Sequence, residues 1–195
     1  MWNSGRISFV AGVATMLTFG WLAYPRVLYK RIDQPLQFSH QVHTRTKEAL
    51  TCDACHSILP DGRFSGIPSV EVCAVCHKEP QGNSPDEKIL IEKYVTPNRK
   101  IPWLVYARQP ENAWFPHAAH VGLAKIECDR CHGPHGASDR LRPFELNRIS
   151  GYSRDISGSR VSGIYLKVSG GMKMSDCSRC HAERRVGDSC LACHK

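Results

Sequence analysis

One long apolar run interrupts an otherwise mixed chain. From Ile7 to Tyr24 the sequence reads ISFVAGVATMLTFGWLAY, 18 residues without a charge. That length is within the range of a helix crossing a bilayer. Trp2, Trp21 and Tyr24 lie near its ends, where amphipathic rings favour the membrane interface. Arg6 ahead of an apolar stretch is also how a signal peptide begins, but no Ala-x-Ala site follows, so an uncleaved anchor over residues 7–24 is expected behind a short tail, 1–6. Beyond it, apolar positions come in short bursts. KILIEKYV (88–95), IPWLVYAR (101–108) and RVSGIYLKV (160–168) are rich in β-branched or aromatic residues and read as short extended segments. Residues 25–36 read as a tether, and the Ser-, Gly- and Arg-rich stretch 136–176 as a loop.

Composition sharpens this. Only 42% of the 195 residues are apolar and 8% aromatic, while 12 Pro and 15 Gly imply many loops. The fold class expected is mainly irregular and α, with little β and one amino-terminal transmembrane helix. The charge, +8 from 26 Lys+Arg against 18 Asp+Glu, alone could point to nucleic acid or an anionic surface. The basic residues are scattered, however, and no basic stripe is interleaved with aromatics.

The cysteines carry the chemistry. All ten fall in Cys-x-x-Cys-His units: Cys52/Cys55/His56, Cys73/Cys76/His77, Cys128/Cys131/His132, Cys177/Cys180/His181 and Cys190/Cys193/His194. This is the attachment signal of c-type haem. Two thiols bond one edge of the porphyrin, and the adjacent histidine is held beneath the ring as proximal iron ligand. A zinc ribbon needs two Cys-x-x-Cys knuckles per metal and no following histidine, and five is an odd number for that pairing. A redox dithiol occurs once, in a βαβ setting absent here. Five covalently bound c-type haems are therefore expected, at about 39 residues each. That is too little chain for a conventional core, so porphyrin is expected to fill the interior.

Five histidines remain: His40, His43, His117, His120 and His135. They match the five irons in number and stand as candidate distal ligands. FSHQVHTRTKEALTCDACH and FPHAAHVGLAKIECDRCH repeat one phrase, Phe-x-His-x-x-His followed by eight or seven residues and an attachment motif. On a helix, i and i+3 put both rings on one side a turn apart, suited to two neighbouring haems. Phe38 and Phe115 are expected to pack against porphyrin. With enough histidines for every iron, Met172 and Met174 are assigned to packing.

The phrase resembles the cytochrome c3/c7 class of multihaem cytochromes, and His135 in CHGPHG resembles that class's post-motif distal ligand. The resemblance implies His40 opposite His56, His43 opposite His77, His117 opposite His132, His135 opposite His181 and His120 opposite His194. It also implies a haem domain over 37–195, with two haems in 37–77, none in 78–114 and three in 115–195. The stretch IPWLVYARQPENAWFPHAAHV and Gly133 are similar to membrane-associated cytochromes of quinone-linked complexes. Among these the chain most resembles the pentahaem ActA type of alternative complex III, because related quinone reductase subunits carry six haems.

That resemblance implies an electron-transfer subunit that is not itself an enzyme. Its expected partners are an iron–sulfur subunit, polytopic quinol-binding subunits and a periplasmic acceptor. The alternatives are a NapC/NrfH-type quinol dehydrogenase, from which a fifth motif departs, and a stand-alone pentahaem carrier, which the anchor opposes. Arg26, Lys30 and Arg31 after the span would by the positive-inside rule put the carboxy-terminal part in the cytoplasm. Haem attachment on the outer face, and the indifference of large domains to flanking charge, place it in the periplasm instead. Haem also revises the charge: ten propionates and five ferric irons leave about +3, and no nucleic-acid partner is expected.

Overall fold

The computed structural model describes residues 4–46, 49–105, 107–153 and 172–194. An apolar helix over Ser4–Ala23, α-helical to Thr18 and π-helical over Phe19–Ala23, opens the chain. An 18-residue window of it has a mean hydropathy of 1.4, and none of that window is buried within the molecule. At ~1.5 Å per residue the helix is about 30 Å long, the thickness of a bilayer's hydrocarbon. Phe9, Met16 and Leu17 are more than half exposed, and a surface of that kind requires lipid or a partner to cover it.

A short helix, Tyr24–Leu28, leads directly into strand β1, Tyr29–Ile32, which pairs antiparallel with β2, Phe144–Asn147. The register runs from Tyr29↔Asn147 to Ile32↔Phe144. The stretch read as a tether is thus pinned to the haem-bearing domain, and Leu28 and Phe144 bury their side chains there. The sequence signal was weak because β1 spans four residues, three of them polar or amphipathic.

KILIEKYV is not extended. Ser84 precedes a helix over Pro85–Leu90 that continues as a π-turn through Ile91–Val95. Pro85 at the first helical position and Asp86 and Glu87 in the first turn are strong helix-start signals, and they outweigh the β-branched content that follows. Leu90 from this helix meets Leu36 and Ile101 in a small core, with Tyr94, Val95 and Trp103 against it. IPWLVYAR is irregular over its described residues and forms no ladder. It is held instead by Gln34, whose side chain donates to the Leu104 carbonyl at 2.9 Å and accepts from the Leu104 amide at 3.0 Å. RVSGIYLKV lies outside the described residues.

Among the described residues just six apolar side chains are buried: Leu28, Leu36, Val70, Leu90, Ile101 and Phe144. None belongs to the carboxy-terminal stretch 172–194. Short helical turns on irregular connections make up the rest, and the cysteines and histidines sit on those turns.

Candidate haem-binding site

Each attachment motif is built on about one turn of helix: Cys52–Cys55, Val70–Ala74 with the turn after it, Cys128–His132, part of Met174–Glu183, and Cys190–Cys193. A helical turn carries cysteines at i and i+3 to the same side, as two bonds to one porphyrin edge require. Gly133 ends the third turn at φ 72°. This left-handed conformation favours glycine and lets the chain reverse into His135.

The two Phe-x-His-x-x-His phrases fold alike. Phe38 meets His40 edge-on, with ring centres 4.8 Å apart, and stacks on His43 at 4.5 Å. Phe115 does the same with His117 at 4.9 Å and His120 at 4.3 Å. The second histidine of each phrase donates from Nδ1 to the carbonyl that follows the Phe: Ser39 O at 2.8 Å and Pro116 O at 3.0 Å. Each Phe thus contacts both histidines of its phrase, one edge-on and one face to face.

Ring pairs follow. His43 lies 6.1 Å from His77, His117 lies 6.3 Å from His132, and His120 lies 6.0 Å from His181. Metal–imidazole bonds of about 2 Å on opposite sides of an iron put ring centres about 6 Å apart, so this spacing fits a haem iron between each pair. The structure brings His120 to His181 rather than to His194. His135 lies 6.3 Å from His40 and not near His181, with His56 close to the same pair.

Hydrogen bonding sets which nitrogen is available. His56 donates from Nδ1 to Gly66 O at 2.9 Å, His77 to Glu87 Oε1 at 2.8 Å, and His194 to Asn112 O at 3.2 Å. His40 donates to Ser138 Oγ at 3.2 Å, and that hydroxyl donates onward to the His135 carbonyl at 2.8 Å. Each ring so held keeps Nε2 free as a base, the arrangement outer-shell partners impose on metal-bound histidine. Nδ1 of His181 is buried without a partner. Burial first, then the neighbouring His135, His56 and His43, press the His40 pKa down to about 4. Burial and neighbouring imidazoles lower His117 and His132 as well. The neutral rings that result are the form that binds iron.

The thiols are the reverse of metal-ready. Burial, followed by the nearest thiol, raises the pKa of Cys55, Cys73, Cys128, Cys131 and Cys177, whereas thiolate chemistry needs it lowered. Among the described residues no group of three or more His, Cys, Asp or Glu side chains is placed to hold a metal ion by itself.

These neighbouring thiols also order the units in space. Cys55 of the first unit lies by Cys76 and Cys73 of the second, and Cys52 by Cys128 of the third. Cys131 of the third lies by Cys180 of the fourth, and Cys177 of the fourth by Cys193 of the fifth. The row runs second, first, third, fourth, fifth. Sequence reading could not give this order, because it depends on contacts across the chain.

Three residues that sequence reasoning passed over complete the site. Glu87 accepts from His77 and from the amides of Gln81 at 2.7 Å and Gly82 at 2.9 Å. Although its desolvation works the other way, those three bonds hold its carboxyl below the usual range. Phe64 stacks on His117 at 4.3 Å and lies parallel to His56 at 6.2 Å. Gly66 supplies the carbonyl that orients His56. None has a local motif; each acts through a contact made across a loop.

Attachment motifs and paired imidazoles on a mostly irregular scaffold define a c-type cytochrome with several haems. No family model matches the chain. Over an alignment of 206 positions that takes in 98% of this chain and 90% of the relative, it is 35% identical to the multihaem cytochrome c subunit of menaquinone reductase from Nitratidesulfovibrio vulgaris (strain Hildenborough). The chain belongs to that family of multihaem cytochrome c subunits.

Proposed function

We propose that the chain is a membrane-anchored relay with five c-type haems, carrying electrons between a quinone-handling membrane partner and an acceptor or donor on the outer face. It is a subunit that passes electrons rather than an enzyme in itself. The observation that carries this reading is the near full-length match to a menaquinone reductase subunit, joined to a continuous row of five attachment units. The ten motif thiols hold the haems covalently, and His56, His77, His132, His181 and His194 are the proximal ligands. His43, His117 and His120 are distal ligands to the second, third and fourth haems, and His40 or His135 to the first. A bound haem supplies one-electron redox chemistry. The protein supplies spacing, axial ligands and burial.

A second reading concerns direction. Five motifs, against six haems in the related quinone reductases, favour the alternative complex III type, in which electrons leave quinol for a periplasmic carrier. Purification in mild detergent tests both readings. The expected result is co-purification of iron–sulfur and polytopic subunits, with haems reduced on adding a menaquinol analogue. Reduction of an outer carrier by that complex supports the quinol-oxidising direction, and menaquinone reduction from a reduced carrier supports the opposite. A chain that purifies alone and oxidises quinol analogues unaided sinks the subunit reading.

Two further outcomes follow from single elements. Replacing residues 1–24 with a cleavable export signal is expected to release the haem domain from the membrane fraction with its visible spectrum intact; retention in washed membranes would contradict the anchor. Glu87→Gln weakens the anionic partner of His77, which makes the ring a poorer donor to ferric iron. One haem potential is expected to rise by about 60 mV, a tenfold change in a one-electron couple. Spectropotentiometric titration reads this, and an unchanged set of potentials counts against the assignment.

A further inference from the structure

The residues between the two cysteines of each motif differ with place in the row. The inner units, first, third and fourth, carry Asp53 and Ala54, Asp129 and Arg130, and Ser178 and Arg179. The end units, second and fifth, carry Ala74 and Val75, and Leu191 and Ala192. Each inner unit thus has a charged or polar side chain here, and neither end unit has one. On a helical turn these two positions face away from the side that holds both cysteines and the histidine. They lie on the back of the turn, away from a porphyrin bonded to those thiols, and there Val75 is 79% exposed and Leu191 83%. Contacts besides the thiols support the row. Phe64 beside His56 stacks on His117, the partner of His132, and Arg130 reaches Glu183 at 3.8 Å, so first is joined to third and third to fourth.

The two ends have different surroundings. Cys73 of the second unit packs against the small core of Leu36, Leu90 and Ile101, and the Gln37 amide donates to Asp86 Oδ1 at 2.8 Å. Leu36 and Gln37 come shortly after β1, which itself follows the apolar helix, so this end stands beside the anchor. The fifth unit is the opposite end. Residues 112–114 hold it, with the Asn112 carbonyl accepting from His194 Nδ1 at 3.2 Å and the Trp114 amide donating to Cys193 O at 2.7 Å. That bond brings Trp114, 54% exposed, to the turn that carries Leu191. Arg184, Arg185 and Asp188, all exposed, lie on the loop leading into it.

We infer that the back of the fifth unit, Leu191 with Trp114 beside it, is the surface on which a mobile one-electron carrier protein docks. Two observations choose that occupant. Electrons enter and leave a row at its ends, and the other end stands by the anchor. Two apolar side chains near charges of both signs also offer far less than the roughly 1,200–2,000 Å² that a stable protein interface buries, and they suit the small contact of a transient redox encounter. In each encounter the reduced chain gives up one electron and the oxidised carrier gains it, or the reverse, with no bond made or broken. The inference rests on the relay reading and names the place where the outer partner meets the chain.

The test uses full-length holoprotein in detergent, reduced with dithionite, freed of excess reductant and mixed by stopped flow with an oxidised monohaem c-type cytochrome as probe. Leu191→Ser and Leu191→Asp copy Ser178, Asp53 and Asp129, which the chain's own motifs carry at this position, so haem attachment should survive, as the visible spectrum checks. Both should lower the second-order rate constant about tenfold, the scale of a residue central to a contact. Val75→Arg, which copies Arg130 and Arg179 at the opposite end, should leave it unchanged. Wild-type rates in both Leu191 variants overturn the inference. So does a loss with Asp alone, which would report charge instead of apolar contact, and so does an equal loss with Val75→Arg. Should the Leu191 variants fail to mature, Trp114→Ala takes their place and should slow the same rate; an unchanged rate would overturn the inference. Failure to co-purify with quinone-linked subunits would strike at the proposed function and leave these rates standing.

Discussion

Produced in a host that cannot attach haem, the chain is expected to lose its tertiary fold altogether. The protein has too little apolar surface to do otherwise. Six buried apolar side chains among the described residues cannot offset the conformational entropy of ordering a haem domain of this length, which costs roughly 1–2 kcal/mol per residue in backbone alone. Four of the motifs sit on four- and five-residue helices and the fourth motif on a helix of ten, all short of the ~12–15 residues at which an isolated helix becomes even marginal. The carboxy-terminal stretch 172–194 has no buried apolar residue at all. Calorimetry of the haem-free chain should give no cooperative transition, and near-UV circular dichroism should be flat, with some far-UV helix kept by the Ser4–Ala23 segment. A cooperative melt comparable to holoprotein would show that side chains alone hold the domain.

The second large effect concerns the row. The third unit is its centre, with the first unit on one side through Cys52 and Cys128 and the fourth on the other through Cys131 and Cys180. Cys128→Ala/Cys131→Ala should divide five haems into two separated pairs. Each pair would keep its ordinary spectrum. Stopped-flow reduction from one end should then fill two haems quickly and leave the other two slow by orders of magnitude. The same substitution at the fifth unit should leave the remaining four in fast exchange. Equal rates for both variants would mean that the electrons take another route, and the order of units given above would be wrong.

Much of this site was legible in the sequence, for a chemical reason. Covalent haem attachment demands a fixed local spacing, so Cys52 to His56 and its four counterparts announce themselves without any knowledge of the fold. The duplicated Phe-x-His-x-x-His phrase was legible too, and its two copies fold to matching geometry. Pairing was not. His120 reaches His181 and not His194, and His135 sits beside His40, because those relations depend on how loops cross rather than on order along the chain. Glu87 was invisible for the same reason: its target, His77, is ten residues back, past a loop. The misread KILIEKYV shows the other limit, where Pro85, Asp86 and Glu87 started a helix in spite of the β-branched residues after it. β1 and β2 escaped notice because each is four residues long and finds its partner more than a hundred positions away.

The central claim is that five haems are bonded to these ten cysteines. Intact-mass spectrometry of the purified, denatured protein after thiol alkylation tests it most directly. The account predicts the polypeptide mass plus five haems, with no alkylated cysteine. Any other haem number, or any labelled motif thiol in the fully matured protein, would contradict it.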